Sequence, residues 1–215
     1  MITALMIDVD GVIIDGRPAD GRHWAAELDT DLGISLMMLE SALFKPYWER
    51  IVTGQAELHE CLTRVLAKIA PHVTSAQLLS YWFAHDARLN DRLLRDLANL
   101  RATGLRAYLA TNQEHARARY LMETLGLATH VDGSYYSAEI GHRKPRTEFF
   151  QIVARRVGLP PDNLQLIDDS EDNVRAARVA GWRAARWTAN QTLAEIVAGA
   201  FAAEAQTASS LDAMQ

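Results

Sequence analysis

Residues 4–11 read ALMIDVDG, a short apolar run that ends in two aspartates and a glycine. An apolar run of this length, closed by acids, predicts a buried strand whose carboxyl end opens into a polar site. Three further runs follow the same pattern, at Leu105–Ala110, Leu164–Ile167 and Ala184–Trp187. Each is followed by polar residues and then by a helical pattern, so the first run sets the plan of the whole chain.

Helical periodicity occupies the stretches between these runs. Apolar side chains recur there at spacings of three and four residues, in Leu93–Leu100, Ala116–Leu125, Phe149–Val157 and Val174–Ala180. Strands that alternate with helices in this way are typical of a parallel sheet with helices on both faces. We therefore predict an α/β fold.

Residues 16–87 break the alternation. They show helical periodicity and several aromatic side chains, but no convincing strand. We interpret them as an inserted helical cap, in which Pro71 and an N-cap at Thr74 or Ser75 separate two helices. Gly54 is expected to mark a turn.

The predicted domain plan follows from this interruption. Residues 1–15 and 88–203 form a discontinuous α/β core, and residues 16–87 form the cap. The small and polar residues of 204–215 are expected to be a frayed, flexible tail.

Composition narrows the class of protein. The 215 residues are 49% hydrophobic and 23% charged, which is typical of a globular chain that buries a sizeable core. The net charge of −5 gives no reason to expect nucleic acid or an anionic membrane as a partner. No stretch approaches the ~20 apolar residues of a membrane span. Cys61 is the only cysteine, which excludes an internal disulfide and favours a reducing cytoplasm.

The candidate chemistry begins at Asp8 and Asp10, at the end of the first predicted strand. Two carboxylates at one point allow one to attack as a nucleophile while the other moves a proton, and both are suitable magnesium ligands. A purely structural acidic turn explains the pair equally well. A calcium-binding EF-hand loop does not, because three of its key positions hold Val12, Ile13 and Ala19.

Two further candidates lie after a predicted strand or before a helix. Thr111 and Asn112 follow the second apolar run and precede a helix whose first turn contains Glu114. Their hydroxyl and amide groups, with the N–H groups of the helix start, suit a phosphate, although ordinary helix capping explains them too. Lys144 precedes Pro145, which can start a helix, and an isolated lysine there is expected to be exposed.

The fourth candidate is the pair Asp168 and Asp169, which closes another apolar run and opens a helix. Adjacent carboxylates repel each other unless a cation lies near them, and helix capping explains only one of the two. All four candidates fall at predicted strand ends or helix starts, and therefore at one edge of the sheet. That edge is where open α/β sheets bind ligands.

Taken in this order, the four elements resemble the motifs of the haloacid dehalogenase (HAD) superfamily. The segment Ile167–Asn173 (IDDSEDN) strengthens the resemblance, as does the helical insertion after the first motif. The resemblance covers nearly the whole chain. It implies a Rossmann-like three-layer core with a parallel sheet, and an inserted small helical cap of the C1 type.

The resemblance also implies a role for each motif residue. Asp8 is the nucleophile and Asp10 the general acid and base. Thr111 and Lys144 complete the catalytic set by holding the phosphoryl group, and Asn112 is expected to help bind it. These roles suit the chemistry, because a transferring phosphoryl group carries negative charge that cations and fixed donors stabilise.

Magnesium is the implied cofactor. Asp169 binds it together with the Asp8 carboxylate and the Asp10 carbonyl, while Asp168 is either a further ligand or an acceptor behind the ligands. Asn173 departs from the family, because many relatives carry a further acid at that place. It is expected to weaken or reshape the surroundings of the metal.

The implied function is that of a magnesium-dependent phosphatase that hydrolyses a small phosphate monoester through an aspartyl-phosphate intermediate. Sugar-phosphate mutases keep all four motifs and are the main alternative. A dehalogenase is disfavoured by Asp10, which those enzymes typically lack, and a non-catalytic binding module is disfavoured by the complete motif set. The expected partner is a small phosphorylated metabolite, and the expected state is a monomer or homodimer.

The cap is expected to select the substrate, but its sequence contains no recognisable motif. Five basic side chains are either substrate contacts or plain surface charges: Arg17, Arg22, His23, Lys45 and Arg50. Four aromatic side chains are expected to form the cap's own core: Trp24, Tyr47, Trp48 and Trp82.

Overall fold

Five parallel strands form the sheet of this computed structural model, which describes residues 2–199. The predicted tail at 204–215 lies outside those residues. Across the sheet the strands follow the order β3-β2-β1-β4-β5. Their bounds are β1 (Ala4–Ile7), β2 (Arg106–Thr111), β3 (Gly133–Tyr136), β4 (Leu164–Asp168) and β5 (Arg183–Arg186). The predicted parallel α/β sheet is therefore confirmed.

The register of the sheet brings separate parts of the sequence to one edge. Ile7, the last residue of β1, lies opposite Leu109 of β2 and Ile167 of β4. Asp8 follows Ile7 and Asp168 follows Ile167, so their side chains emerge next to each other where neighbouring strands end. Strand pairing alone thus places two distant carboxylates together.

Helices fill the connections between the strands. The α-helices include α1 (Leu28–Leu32), α2 (Leu36–Leu39), α3 (Lys45–Val52), α4 (Leu58–Ile69), α5 (Ser75–His85), α6 (Asp91–Ala102), α7 (His115–Arg119), α8 (Ser137–Ile140), α9 (Thr147–Val157) and α10 (Glu171–Val179), and residues 193–199 are also helical. Shorter π and 3₁₀ segments lie at Glu40–Phe44, Tyr120–Thr124, Leu127–Thr129 and Pro161–Asn163. In residues 2–199, no helix has both the length and the apolar character needed to cross a membrane.

Alternate residues of β1 pack into the two cores on either side of the sheet, as the pleat of a strand requires. Leu5 and Ile7 join one apolar cluster, which also contains Leu97 of α6. Met6 joins another cluster, which contains Phe150 of α9. Because both faces are covered by helices, β1 is buried along its whole length, and the three-layer core is confirmed.

The predicted cap, residues 16–87, contains helices α1 to α5 and an apolar cluster of its own. Trp24 and Trp82 are buried in that cluster, with their rings stacked 5.0 Å apart. Tyr47 and Trp48 pack against it, as expected for core aromatics. Thr74 caps α5 in a reciprocal capping box. The exact division of the chain at residues 15/16 and 87/88 stays a prediction.

A buried arginine fastens the end of α5 to α7. The Arg117 guanidinium donates to the carbonyl of Phe83 at 3.2 Å and to that of Asp86, and it lies 3.3 Å from the Asp86 carboxylate. The rings of Phe83 and Tyr120 lie against its faces, at 5.3 and 5.5 Å. These partners compensate the cost of burying the charge.

The predicted cap also touches the core at the end of α3. Arg143 pairs with Glu49 at 3.0 Å. Gly54 has φ of +71°, and a Cβ built on it would lie 2.3 Å from the carbonyl oxygen of Ala138. Glycine is required there both by the left-handed backbone and by the close approach of another main chain.

Several elements differ from the sequence prediction. Strand β3 was not predicted, because Gly133–Tyr136 (GSYY) is a half-buried edge strand without an apolar run. Strand β5 begins and ends one residue earlier than predicted, at Arg183 and Arg186. The helix predicted over Ala116–Leu125 is a short α7 that continues as a π-helical segment, Tyr120–Thr124.

Candidate active site

Lys144 lies at the centre of the candidate site, and its predicted exposure is wrong. Its side chain is fully buried, with Nζ 3.0 Å from Asp8 Oδ1 and 2.6 Å from Asp168 Oδ2. An ammonium group is buried at acceptable cost when carboxylates neutralise it and accept its protons. Burial lowers the pKa of Lys144, but Asp8 and Asp168 outweigh it, so the pKa lies above its ordinary value.

Asn112 holds the Lys144 main chain in place. Its side-chain Oδ1 accepts from the Lys144 N–H at 2.8 Å, and its Nδ2 donates to the Lys144 carbonyl at 3.0 Å. Both ends of the amide are therefore occupied. The structure shows Asn112 positioning Lys144, and its predicted phosphate contact stays a prediction.

Asp8 has one oxygen that is held and one that is free. Oδ1 accepts from Lys144 and from the N–H of Val9 at 2.8 Å, whereas Oδ2 has no hydrogen-bond partner among residues 2–199. The residue keeps 8% of its surface exposed. Burial raises its pKa to about 7, against the effect of Lys144, with smaller contributions from Asp168 and Asp10. A fixed carboxylate with one accessible oxygen suits nucleophilic attack.

Three carboxylates converge at this edge. Asp8, Asp168 and Asp169 each offer an oxygen within 4.8 Å of the others. Burial, and then the charge of Asp168, raise the pKa of Asp169. Hard oxygen ligands and excess negative charge fit Mg²⁺. Gly11 makes room for the cluster, because a Cβ there would lie 2.4 Å from Asp169 Oδ2.

The hydrogen bonds of Asp168 favour the second of its two predicted roles. Its Oδ1 accepts from the Ser170 N–H at 2.9 Å and from Asn173 Nδ2 at 3.0 Å, and its Oδ2 accepts from Lys144. Asn173 Nδ2 also donates to Asp168 Oδ2, at 3.1 Å. These four donor contacts leave the Asp168 carboxylate little capacity for a metal. A carboxylate at position 173 has no N–H to donate, so the amide is what supports Asp168.

Asp10 stands apart from the carboxylate cluster and is oriented by Gln113. The Gln113 amide donates to Asp10 Oδ2 at 2.7 Å and lies 3.5 Å from Thr111 Oγ1. Although solvent reaches Asp10, surrounding protein raises its pKa, and Asp86 raises it further, while Arg117 and Gln113 lower it. Sequence reasoning missed Gln113. Its position directly after Thr111 and Asn112 at a strand end was the available signal.

Two of the N–H groups at the start of α7, which were predicted to suit a phosphate, already have a partner. The Glu114 carboxylate caps this helix and accepts from the N–H groups of Ala116, at 2.8 Å, and Arg117. Thr111, the last residue of β2, is buried at the same edge as Asp8. The phosphate role of the Thr111 hydroxyl stays a prediction.

A cavity of about 220 Å³ adjoins Asp10. His23 and Trp24 of the predicted cap line it, together with two further acids, Asp15 and Asp86. His23 is thus the candidate cap residue that the structure brings beside the site. Other candidates are used elsewhere: Arg22 pairs with Asp20 and Glu27, Arg17 lies 3.5 Å from Asp20, and Arg50 lines a different cavity.

Comparison with known families agrees with this geometry. Residues 2–181 match the model of the haloacid dehalogenase-like hydrolases, which covers most of the chain. The chain belongs to this family. The predicted membership and the prediction of a HAD-like hydrolase are both confirmed.

Several HAD relatives are similar along most of their length. Fructose-1-phosphate phosphatase YqaB of Escherichia coli (strain K12) is 26% identical over 182 residues, which cover 82% of this chain and 92% of the relative. The plasmid phosphoglycolate phosphatase of Cupriavidus necator (strain ATCC 17699) is 29% identical over 188 residues, covering 83% and 78%.

A solved HAD structure has the same fold. The HAD family enzyme BT-2542 from Bacteroides thetaiotaomicron, crystallised with magnesium and inorganic phosphate, superposes with a TM-score of 0.76. It is 21% identical, and the match covers 91% of this chain and 99% of that one. At this coverage the likeness in fold extends over most of both chains.

Proposed function

We propose that this HAD hydrolase is a magnesium-dependent phosphatase acting on a small phosphate monoester through a phosphorylated Asp8. The observation that carries the proposal is the state of Asp8: Lys144 and the Val9 N–H hold one oxygen, while the other has no hydrogen-bond partner among the described residues and the side chain stays partly exposed. The names of the two relatives support phosphatase chemistry. The magnesium and phosphate in the BT-2542 crystal support the cofactor.

Magnesium would be held by Asp8, Asp169 and the Asp10 carbonyl, and it would supply positive charge opposite the phosphoryl oxygens. Asp168 would support this set through Lys144 instead of binding the metal. The proposed ligands fit the donor chemistry, because the three clustered carboxylates outnumber the one ammonium group and leave the edge with excess negative charge.

The reaction then needs two proton transfers, both at Asp10. Asp8 Oδ2 attacks phosphorus, the bond to the leaving oxygen breaks, and Asp10 gives that oxygen its proton. Asp10 next takes a proton from the water that attacks the phosphorus of the acyl phosphate. The bond between phosphorus and Asp8 breaks, which restores the carboxylate and releases inorganic phosphate. Gln113 would keep Asp10 aimed through both steps.

The cavity beside Asp10 favours a sugar phosphate. Its lining carries Asp10, Asp15 and Asp86 but no lysine or arginine, so a leaving group with its own carboxylate would meet repulsion. A polyhydroxylated leaving group could donate hydrogen bonds to the same acids and lie against Trp24.

The single cysteine of the protein, Cys61, is buried, which is consistent with the cytoplasm as the location of the protein.

The test is a panel of phosphate esters assayed with and without magnesium. We expect release of inorganic phosphate from hexose and pentose phosphates, with phosphoglycolate turned over more slowly. Phosphate release independent of magnesium would refute the metal assignment. An isomeric sugar phosphate as product, with no free phosphate, would make the enzyme a mutase. A preference for phosphoglycolate would overturn the reading of the cavity.

A further inference from the structure

A second cavity, of about 390 Å³, lies wholly within the predicted cap, between α3 and one face of α4. Its wall contains buried Cys61 and Val65, and Tyr47 contributes an aromatic ring. Three cationic side chains complete the lining: Arg50, Arg64 and Lys68. A volume of this size falls in the ordinary range of small-molecule sites, roughly 300–1,000 Å³.

The three cations have no carboxylate partner. Among residues 2–199, none of them lies within 4 Å of an acid, and the polar contact of Arg64 is to Cys61 Sγ at 3.5 Å. Other arginines of the chain do pair, for instance Arg101 with Asp132 at 2.6 Å. Concentrated unpaired positive charge is unexpected on a chain whose net charge is −5.

The arrangement on α4 carries a local cost. Arg64 and Lys68 are four residues apart, so their like charges stand on neighbouring turns and destabilise the helix. Glu60, one turn before Arg64, is spaced to relieve this, yet it forms no ion pair with it in the described chain. A bound anion would offset the repulsion that the protein itself leaves uncompensated.

This cavity is separate from the candidate active site. Its lining residues all fall between positions 42 and 69, and none of them is a motif residue. On α3, Glu49 faces Arg143 of the core at 3.0 Å. Tyr47 is about 200° away from Glu49 around the helix axis, so the cavity opens on the side of α3 that is turned away from that contact.

We infer that this cavity is a second anion-binding site, which takes a small organic molecule with at least two negative charges, such as a phosphorylated or a multiply carboxylated metabolite. The three cations would bind its anionic groups. Tyr47 and the apolar wall around Val65 would contact its carbon skeleton. The site does not depend on the proposed phosphatase activity.

Methyl NMR on the full chain tests the inference, with inorganic pyrophosphate and citrate as probes and no magnesium present. Val65 and Ile69 methyl groups report on the cavity, while Val9 methyl groups report on the region of Asp8. We expect Val65 and Ile69 signals to shift and saturate with at least one probe. If these signals did not shift at probe concentrations up to about 10 mM, any binding would be too weak to matter, and the inference would be overturned.

Matched variants locate the binding. Arg64→Gln and Lys68→Gln should each weaken probe affinity about fivefold, the effect of removing one nearby charge in water. Arg95→Gln on α6 makes the same change at an exposed residue outside the cavity and should leave affinity within about twofold. Phosphatase turnover should stay unchanged in Arg64→Gln. Equal affinity in Arg64→Gln and Arg95→Gln would refute the site, whatever the fate of the phosphatase proposal.

Discussion

The sheet edge and the predicted cap use positive charge in opposite ways. At the sheet edge, Lys144 is fully buried between two carboxylates. In the predicted cap, Arg64 and Lys68 are exposed around a cavity, and neither has an acidic partner in the part of the chain that the structure describes. Lys144 is therefore part of the folded structure, whereas Arg64 and Lys68 remain available to a ligand.

Replacement of the nucleophile should have the largest effect. We expect Asp8→Asn to lower turnover by about 10⁴–10⁶, because no neighbouring group can replace the attacking oxygen. The fold should persist, since the change removes a charge that burial already disfavours. Rapid quenching of the native enzyme with labelled substrate should trap label on the peptide containing Asp8. Product formation in a single turnover, without label on Asp8 at any time, would contradict the covalent route.

Removal of the buried ammonium group should destabilise the protein. We expect Lys144→Ala to lower the free energy of unfolding by about 3–5 kcal/mol, because it leaves Asp8 and Asp168 buried without a counter-charge. Lys68→Ala in the predicted cap should change it by less than about 0.5 kcal/mol. Urea denaturation of both variants measures the contrast. Equal stability of the two would mean that Lys144 does not hold this edge together.

Magnesium should stabilise the folded protein, by about 2.7 kcal/mol at one hundred times its dissociation constant. The gain should be larger at pH 8 than at pH 5.5. Burial raises the pKa of Asp8 from 3.8 to about 7, so without metal its contribution to stability declines as the pH rises through that interval. Magnesium binds the ionised form of the Asp8 carboxyl group, so the stabilisation by the metal grows as the pH rises. Thermal melts with magnesium and with EDTA at both pH values measure it, and an equal gain at both would exclude Asp8 as a ligand.

Loss of the hydrogen bond to Asp10 should have the smallest effect. We expect Gln113→Ala to lower kcat about tenfold, the equivalent of one net hydrogen bond of about 1.4 kcal/mol, with little change in KM. Gln151→Ala on α9 removes an exposed amide that makes no described contact and serves as the control. If KM rose and kcat did not fall, Gln113 would bind substrate instead of positioning Asp10.

Much of the fold and the motif positions could be predicted, because apolar runs identify buried strands and parallel strands end at one edge. That argument predicts that Asp8, Thr111 and Asp168 lie together, and the strand register agrees. It failed at β3, whose four half-buried residues carry no apolar pattern. An apolar run marks a strand whose two faces are both buried. The residues of β3 are only half-buried at the edge of the sheet, so they do not form such a run.

The site details escaped prediction for a different reason. The burial of Lys144 depends on two carboxylates that lie 136 and 24 positions away in the sequence. Likewise, Gln113 reaches Asp10 across 103 positions. Such pairings arise only after the chain has folded, so residue type alone suggests a solvated side chain in each case. The resemblance to a family supplied roles for motif residues, but Gln113 belongs to none of those motifs.

Gly54 sets how closely the predicted cap rests on the rest of the molecule. Main chain meets main chain there, since even a Cβ would fall 2.3 Å from the Ala138 carbonyl oxygen. A methyl group at this position would clash with the main chain of Ala138. It would force the main chains at Gly54 and Ala138 apart, and so loosen the contact between the predicted cap and the core.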